Sequence, residues 1–448
     1  VFWEEFTMNK PTALQEYTRY VSLNVAAMLG LSLYILADTF FVAQGVGSDG
    51  LAALNLAVPL YNIMHGTGLM LGMGGATKFT LLASQGKHQD ANRMFTTAVQ
   101  ATVCAAVFFF LLGALGAPGL TRLLGGEGHV GQLTCIYLRV LLMFSPVFLF
   151  NDLMLCFVRN DGAPRRAMAA TLTGCLLNIV LDYVFIFPLG MGMFGAVLAT
   201  GCSPILGLVI QSGHWLGGKA SFQLQKTTPR PAELGSIGAL GFPSFLSEAC
   251  SGVVMILFNT ILLQVEGSIG VAAYGVVANL ALVVTAMFTG VAQGTQPLLS
   301  QACGQRDADR VGFFLRCAIT TALALSALVI ACTLLFADPI ALAFNSEGSA
   351  RLQALACQGL HLYFLSAPFV GLCILLCLFF TATDRPRPSH VIALLRGFFL
   401  VVPVTLVLAR LFGLTGVWLA VPTAEALTAL IGLCLYLRQP KPRALPPR

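Results

Sequence analysis

The sequence predicts an all-α integral membrane protein, with about twelve transmembrane helices in two pseudo-symmetric six-helix lobes. Three observations carry that expectation. Of 448 residues, 57% are apolar and only 10% charged, and the mean hydropathy is +0.83; a soluble domain carries about a quarter charged residues. Apolar segments near the roughly 20 residues that a span requires recur along the whole chain. The two halves also repeat each other at an offset near 220 residues.

In order, residues Val1–Tyr17 are polar and aromatic and are expected to form an interfacial helix on the inner surface. Six spans follow at about 18–44, 52–82, 94–117, 131–158, 167–188 and 193–216. The polar, Pro-containing stretch Gly217–Glu233 is the longest loop, which divides the chain into lobes 1–217 and 234–448 with a connector at 218–233. Six more spans are placed at about 234–264, 270–299, 311–336, 352–380, 389–411 and 416–437, before a basic, Pro-rich tail. The first apolar run is full length and lacks a small-residue cleavage site, so no cleavable signal is expected.

Lys and Arg set the orientation. One set of loops holds Lys78, Lys87, Arg93, Arg159, Arg165, Arg166, Lys219, Lys226, Arg230, Arg306, Arg310, Arg385, Arg387 and the tail, and the other little beyond Arg122, Arg351 and Arg410. By the positive-inside rule both termini and the connector are cytoplasmic, in an inner (plasma) membrane. The net charge of +6 is small for the length, so the basic residues read as topology signals and not as a nucleic-acid surface. The thirteen cysteines lie singly in apolar segments without a C-x-x-C and read as small fillers of membrane helices.

The repeat pairs Gly47-Ser48 with Gly267-Ser268, Ser145-Pro146 with Ala367-Pro368, and Asp161-Gly162-Ala163-Pro164 with Thr383-Asp384-Arg385-Pro386. Six spans per half make the halves parallel, related by an axis along the membrane normal. That layout is typical of secondary transporters with a substrate path between the lobes. The repeat fails at one place. Asn178 and Asp182 shift onto Leu400 and Val404, and Asp38 onto Phe258, so an acidic site belongs to the first half alone.

Asn178 and Asp182 are four residues apart and share a helix face. Counting along the helices places Asp38, Asp182 and Thr200 at one level, roughly 10 Å below the outer boundary. An ionisable group in a span is a candidate functional site. Two carboxylates together in a low-dielectric site require that one keep a proton or that a cation neutralise the pair. Asn178 and Thr200 add neutral oxygens suited to a hard cation. Asp38, Asn178, Asp182 and Thr200 are therefore expected to take H⁺ or, as metal ligands, Na⁺; cross-linking of helices by hydrogen bonds is the plainer alternative.

The stretches Ala37-Asp38-Thr39-Phe40-Phe41-Val42, Ala52-Ala53-Leu54…Pro59-Leu60, Gly72-Met73-Gly74-Gly75-Ala76, Phe157-Val158-Arg159-Asn160-Asp161-Gly162-Ala163-Pro164 and Asn178…Asp182 with Gly195-Ala196…Thr200 together resemble the multidrug and toxic compound extrusion (MATE) family of the flippase-like transporter superfamily. The resemblance covers nearly the whole chain. It implies that Asp38 is the coupling carboxylate, that Asn178, Asp182 and Thr200 complete its site, and that cation binding shifts the first helix to release drug. Many relatives carry a Pro early in the first span. Here that region reads Val21-Ser22-Leu23-Asn24, leaving Gly30 as the position that allows flexing.

Tyr34, Asn55, Tyr61, His65, Glu248, Asn259 and Glu425 are candidates to line the substrate cleft. Glu425 has the alternative of pairing with Arg396, and Asp152 of pairing with a basic loop residue such as Arg159. Gly72-Met73-Gly74-Gly75 reads as close helix packing and not as a phosphate loop. The expected activity is an antiporter that exports amphipathic, cationic compounds in exchange for H⁺ or Na⁺. It needs no cofactor beyond the coupling ion, and its partners are a small-molecule substrate and the bilayer, as a monomer. A flippase for a lipid-linked oligosaccharide would want basic residues in its central cavity. A membrane transferase would want a histidine constellation, which the six dispersed histidines do not form.

Overall fold

The computed structural model describes residues 12–345 and 349–438. Among them every element is helical. The first half runs α1 (Ala13–Gly45), α2 (Ser48–Ser84), α3 (His88–Leu123), α4 (Gly128–Met143), α5 (Ser145–Asn160), α6 (Pro164–Ile186) and α7 (Gly192–Leu216). The second runs α8 (Pro231–Gly304), α9 (Ala308–Leu335), α10 (Ala337–Phe344), α11 (Ala350–Tyr363), α12 (Ala367–Ala382), α13 (Pro386–Leu394) and α14 (Val401–Leu437).

Among the described residues, nine helices are long and apolar enough to cross a membrane, ten if the α4–α5 pair counts as one span. The 37-residue α2 and a break at Gly413 inside the long stretch Pro386–Leu437 complete twelve crossings. Gly267 likewise breaks α8 into two limbs, Pro231–Gly267 and Ile269–Gly304. The fourth span differs from the single helix expected at 131–158. It bends by 51° at Phe144, because Pro146, in the first turn of α5, has no N–H to continue the helical ladder. The short α10 was not expected. Residues 1–11 of the expected interfacial helix lie outside the described residues; Ala13–Tyr17 already belong to α1, whose start Thr12 and Gln15 close with a capping box.

The repeat is written into the backbone. Gly47, Gly86 and Gly162 have φ of 86°, 79° and 82°, and Gly267, Arg306 and Asp384 answer them at 69°, 58° and 61°. Arg306 and Asp384 are the only non-glycine residues at positive φ among those described, and both fall where the first half has glycine. The bend at Phe144 is answered by a 3-10 turn at Phe364–Ser366 in front of Pro368. One core cluster joins Leu54, Leu138, Leu149 and Val197 of the first half, and another joins Phe288, Leu360, Phe380 and Trp418 of the second, with Tyr17, Tyr20 and Val21 of α1 packed into it.

The lobes meet through α8 against α1 and α2, and several side-chain contacts join them in the half of the bilayer that carries the connector and the basic loops. There Arg159 donates to Gln293 Oε1 at 2.6 Å and Asn24 Oδ1 at 3.2 Å, Gln296 donates to Thr77 at 2.7 Å, and Lys78 pairs with Asp384 at 2.6 Å. Gly241 and Gly74 let α2 and the first limb of α8 touch backbone to backbone; a Cβ on Gly241 would stand 2.8 Å from Met70 Cα. The Gly72–Gly75 run is thus a packing surface. Gly30 also serves packing, since a Cβ there would collide with Leu172 of α6.

Candidate functional site

The four residues predicted for the cation site come together. Asp38 on α1, Asn178 and Asp182 on α6 and Thr200 on α7 are all buried, Asn178 and Asp182 completely. α1 and α6 end at Gly45 and Ile186, and α7 starts at Gly192, so residues a turn or two from these ends share one depth. Asp38 and Asp182 meet carboxyl to carboxyl. With its nitrogen facing Asp182, the Asn178 amide donates to Asp182 Oδ2 at 2.9 Å and accepts from the Thr200 backbone N–H at 3.2 Å. Thr200 Oγ1 donates to Ala196 O at 3.0 Å. Asp38 Oδ1 and Asp182 Oδ1 are buried with no hydrogen-bond donor among the described residues. Two facing carboxyls with orphaned oxygens hold together only with positive charge between them.

Tyr137 on α4 also belongs to this site. It is buried and in hydrogen-bonding contact with Thr200. The depth count that found Thr200, eight residues into α7, would also have found Tyr137, nine residues into α4.

A second polar cluster lies nearer mid-membrane, at the seam of the lobes. Tyr34 on α1 contacts Tyr61 on α2, and Tyr61 stacks on His65 with centroids 5.6 Å apart. His65 Nδ1 lies 2.9 Å from Asp152 Oδ2. Glu248 faces this pair from α8, where Gly66 lets the two helices approach. Asn62 donates to Ser251 across the same seam at 3.0 Å. Asp152 therefore pairs with His65 and not with Arg159, which is almost fully buried among Asn24, Gln293 and Met73. Of the other cleft candidates, Asn55 is exposed on α2 and Asn259 half-buried on α8. Glu425 is buried inside the second lobe, where Arg396 Nε and Nη2 donate to its Oε1 at 3.2 and 3.1 Å. Among the described residues no group of three or more His, Cys, Asp or Glu side chains is placed to hold a metal ion.

Two parallel six-span lobes, a seam between them and a buried acid pair in one lobe define the class: a two-lobed membrane transporter. The comparisons give the family. The MatE family model matches residues 25–184 and 243–407, well over half of the chain, and the protein belongs to that family. It is similar to the multidrug export protein MepA of Staphylococcus saprophyticus, with 24% identity over 420 residues, 93% of this chain and 92% of that protein. The MepA of Staphylococcus aureus is 23% identical over 408 residues, 90% and 89% of the two chains. Among solved structures, a MATE transporter in complex with MaL6 superposes with a TM-score of 0.89 at 24% identity, covering 94% of this chain and 95% of that one. An outward-facing multidrug resistance MATE transporter gives 0.88 at 24% identity, again over 94% and 95%. These likenesses establish the fold.

Proposed function

We propose that this protein is a secondary antiporter that exports amphipathic, cationic compounds in exchange for H⁺ or Na⁺ by alternating access of its two lobes. The observation that carries the reading is the buried meeting of Asp38 and Asp182 with two orphaned carboxylate oxygens. Such a pair binds a proton or a small hard cation, and its affinity changes when the helices that carry it move. Thr200 and Tyr137 supply neutral oxygens around it, whereas Asn178 turns its amide N–H to Asp182 Oδ2 and so holds that carboxylate rather than adding an oxygen of its own. The relatives named as multidrug export proteins support a broad substrate class. Flexible apolar walls with a few acids, Glu248 among them, favour breadth over fine recognition.

In this reading the basic face is cytoplasmic, the protein works as a monomer in the inner (plasma) membrane, and it carries no cofactor beyond the coupling ion. Cation entry at Asp38 and Asp182 then favours release of the exported compound.

The test is efflux of a fluorescent organic cation from vesicles with H⁺ and Na⁺ gradients imposed separately. Asp38→Asn is expected to abolish the gradient-driven component, and whichever gradient drives the wild type identifies the ion. Full gradient-driven efflux by Asp38→Asn would remove the carboxylate from the mechanism.

A further inference from the structure

The connector between the lobes is held against the first lobe. Phe222 is fully buried among Phe79, Phe95 and Phe157, and the backbone N–H groups of Gln223 and Gln225 donate to Asn92 and Thr96 of α3 at 3.0 Å. From there to Arg230 the connector and α3 border a wide-open pocket of about 680 Å³, lined by Arg93, Gln100, Lys226, Thr227 and Arg230 among others. Arg93 is balanced by Glu233, 2.7 Å away. Among the described residues no acidic side chain pairs with Lys226 or Arg230, so the pocket carries two uncompensated positive charges. Gln100 Nε2 donates to Thr227 O at 2.9 Å, but its Oε1 is buried without a donor.

From Gln100 onward the same face of α3 presents Val103, Val107, Leu111 and Leu115, all exposed. Their spacing of four residues makes one continuous apolar stripe. A basic pocket at the end of a lipid-facing apolar stripe matches a phospholipid, with the headgroup in the pocket and an acyl chain along the helix. The unmet acceptor on Gln100 asks for a hydrogen-bond donor on the same headgroup. We propose that this pocket binds an anionic glycerophospholipid whose headgroup carries free hydroxyls, of the phosphatidylglycerol type. Its phosphate meets Lys226 and Arg230, and a hydroxyl donates to Gln100 Oε1. The bound lipid ties residues 225–230, which lead directly into α8, to α3 of the first lobe. The proposal does not depend on which compound is transported.

The test is native mass spectrometry of the delipidated full-length protein titrated with phosphatidylglycerol, phosphatidic acid, phosphatidylcholine or inorganic phosphate. The wild type should retain phosphatidylglycerol above phosphatidic acid, and both above phosphatidylcholine. The exposed pair Lys226→Gln and Arg230→Gln together should weaken phosphatidylglycerol binding about 30-fold, from the usual contribution of two basic side chains at an anionic surface. Gln100→Leu should erase the preference for phosphatidylglycerol over phosphatidic acid and leave the charge-dependent binding in place. Equal phosphatidylglycerol binding by wild type and the double variant would overturn the proposal. So would displacement of the lipid by millimolar inorganic phosphate, which would make this a free-anion site.

Discussion

Replacing Gly241 by Ala should push the two lobes apart on the basic face. A Cβ at this position would stand 2.6 Å from the carbonyl carbon of Met70 and 2.8 Å from its Cα. Carbon atoms pack at about 3.5–4.0 Å, so α2 and the first limb of α8 must separate by about 1 Å. The neighbour is backbone, which has no rotamer with which to yield. Overpacking of this kind costs about 1–3 kcal/mol. The cost falls on the state in which the lobes touch here, so the balance between conformations should shift by about 5–150-fold. Hydrogen–deuterium exchange reads the shift without labels, through loss of protection in residues 20–25 and 290–294, which face each other where α1 packs on the second limb of α8. Gly238→Ala is the control: it lies three residues away on the same limb, and a Cβ there meets nothing within 4 Å. If Gly241→Ala and Gly238→Ala exchanged alike, the α2–α8 backbone contact would not be what joins the lobes.

Two further substitutions test the packing. Phe222→Ala should destabilise the first lobe by about 3–5 kcal/mol, the usual cost of emptying a buried phenylalanine site, and should free the connector; faster tryptic cleavage at Lys219 and Lys226 reports it, and unchanged cleavage would refute the pinned connector. Arg396→Met leaves Glu425 buried and unpaired, which should cost about 3–5 kcal/mol, whereas the double change Arg396→Met with Glu425→Met should recover most of it. Thermal unfolding in detergent separates the two, and a double variant as unstable as the single one would contradict the ion-pair reading.

That Asp38, Asp182 and Thr200 come together was legible because it depends on one-dimensional counting. Asp38, Asp182 and Thr200 lie within two turns of helix ends that the apolar pattern marks, and depth in a membrane follows from residue number. The asymmetry of the repeat pointed to the same residues without any knowledge of packing. The pairing of Asp152 was not legible, because which neighbour a side chain meets depends on how the helices rotate against each other. His65 reaches it from α2, and Arg159 turns instead to the amides of Asn24 and Gln293. Glu425 and Arg396 stand 29 residues apart, across the Gly413 break, so only their shared membrane setting suggested the pair. The bend at Phe144 hides in an unbroken apolar run, and its one local signal is Pro146. The connector read only as the longest loop because its polar sequence does not reveal that Phe222 enters an aromatic cluster.

The central claim is that Asp38 and Asp182 hold a cation that leaves when the exported compound binds. The most direct measurement adds an organic cation to the purified protein in weakly buffered solution and follows released H⁺ with a pH dye and released Na⁺ with a sodium indicator. The wild type should release one of these ions in step with binding, and the double variant Asp38→Asn with Asp182→Asn should bind the compound and release neither. Release from the double variant equal to that of the wild type would contradict the account and place the coupling ion elsewhere in the protein.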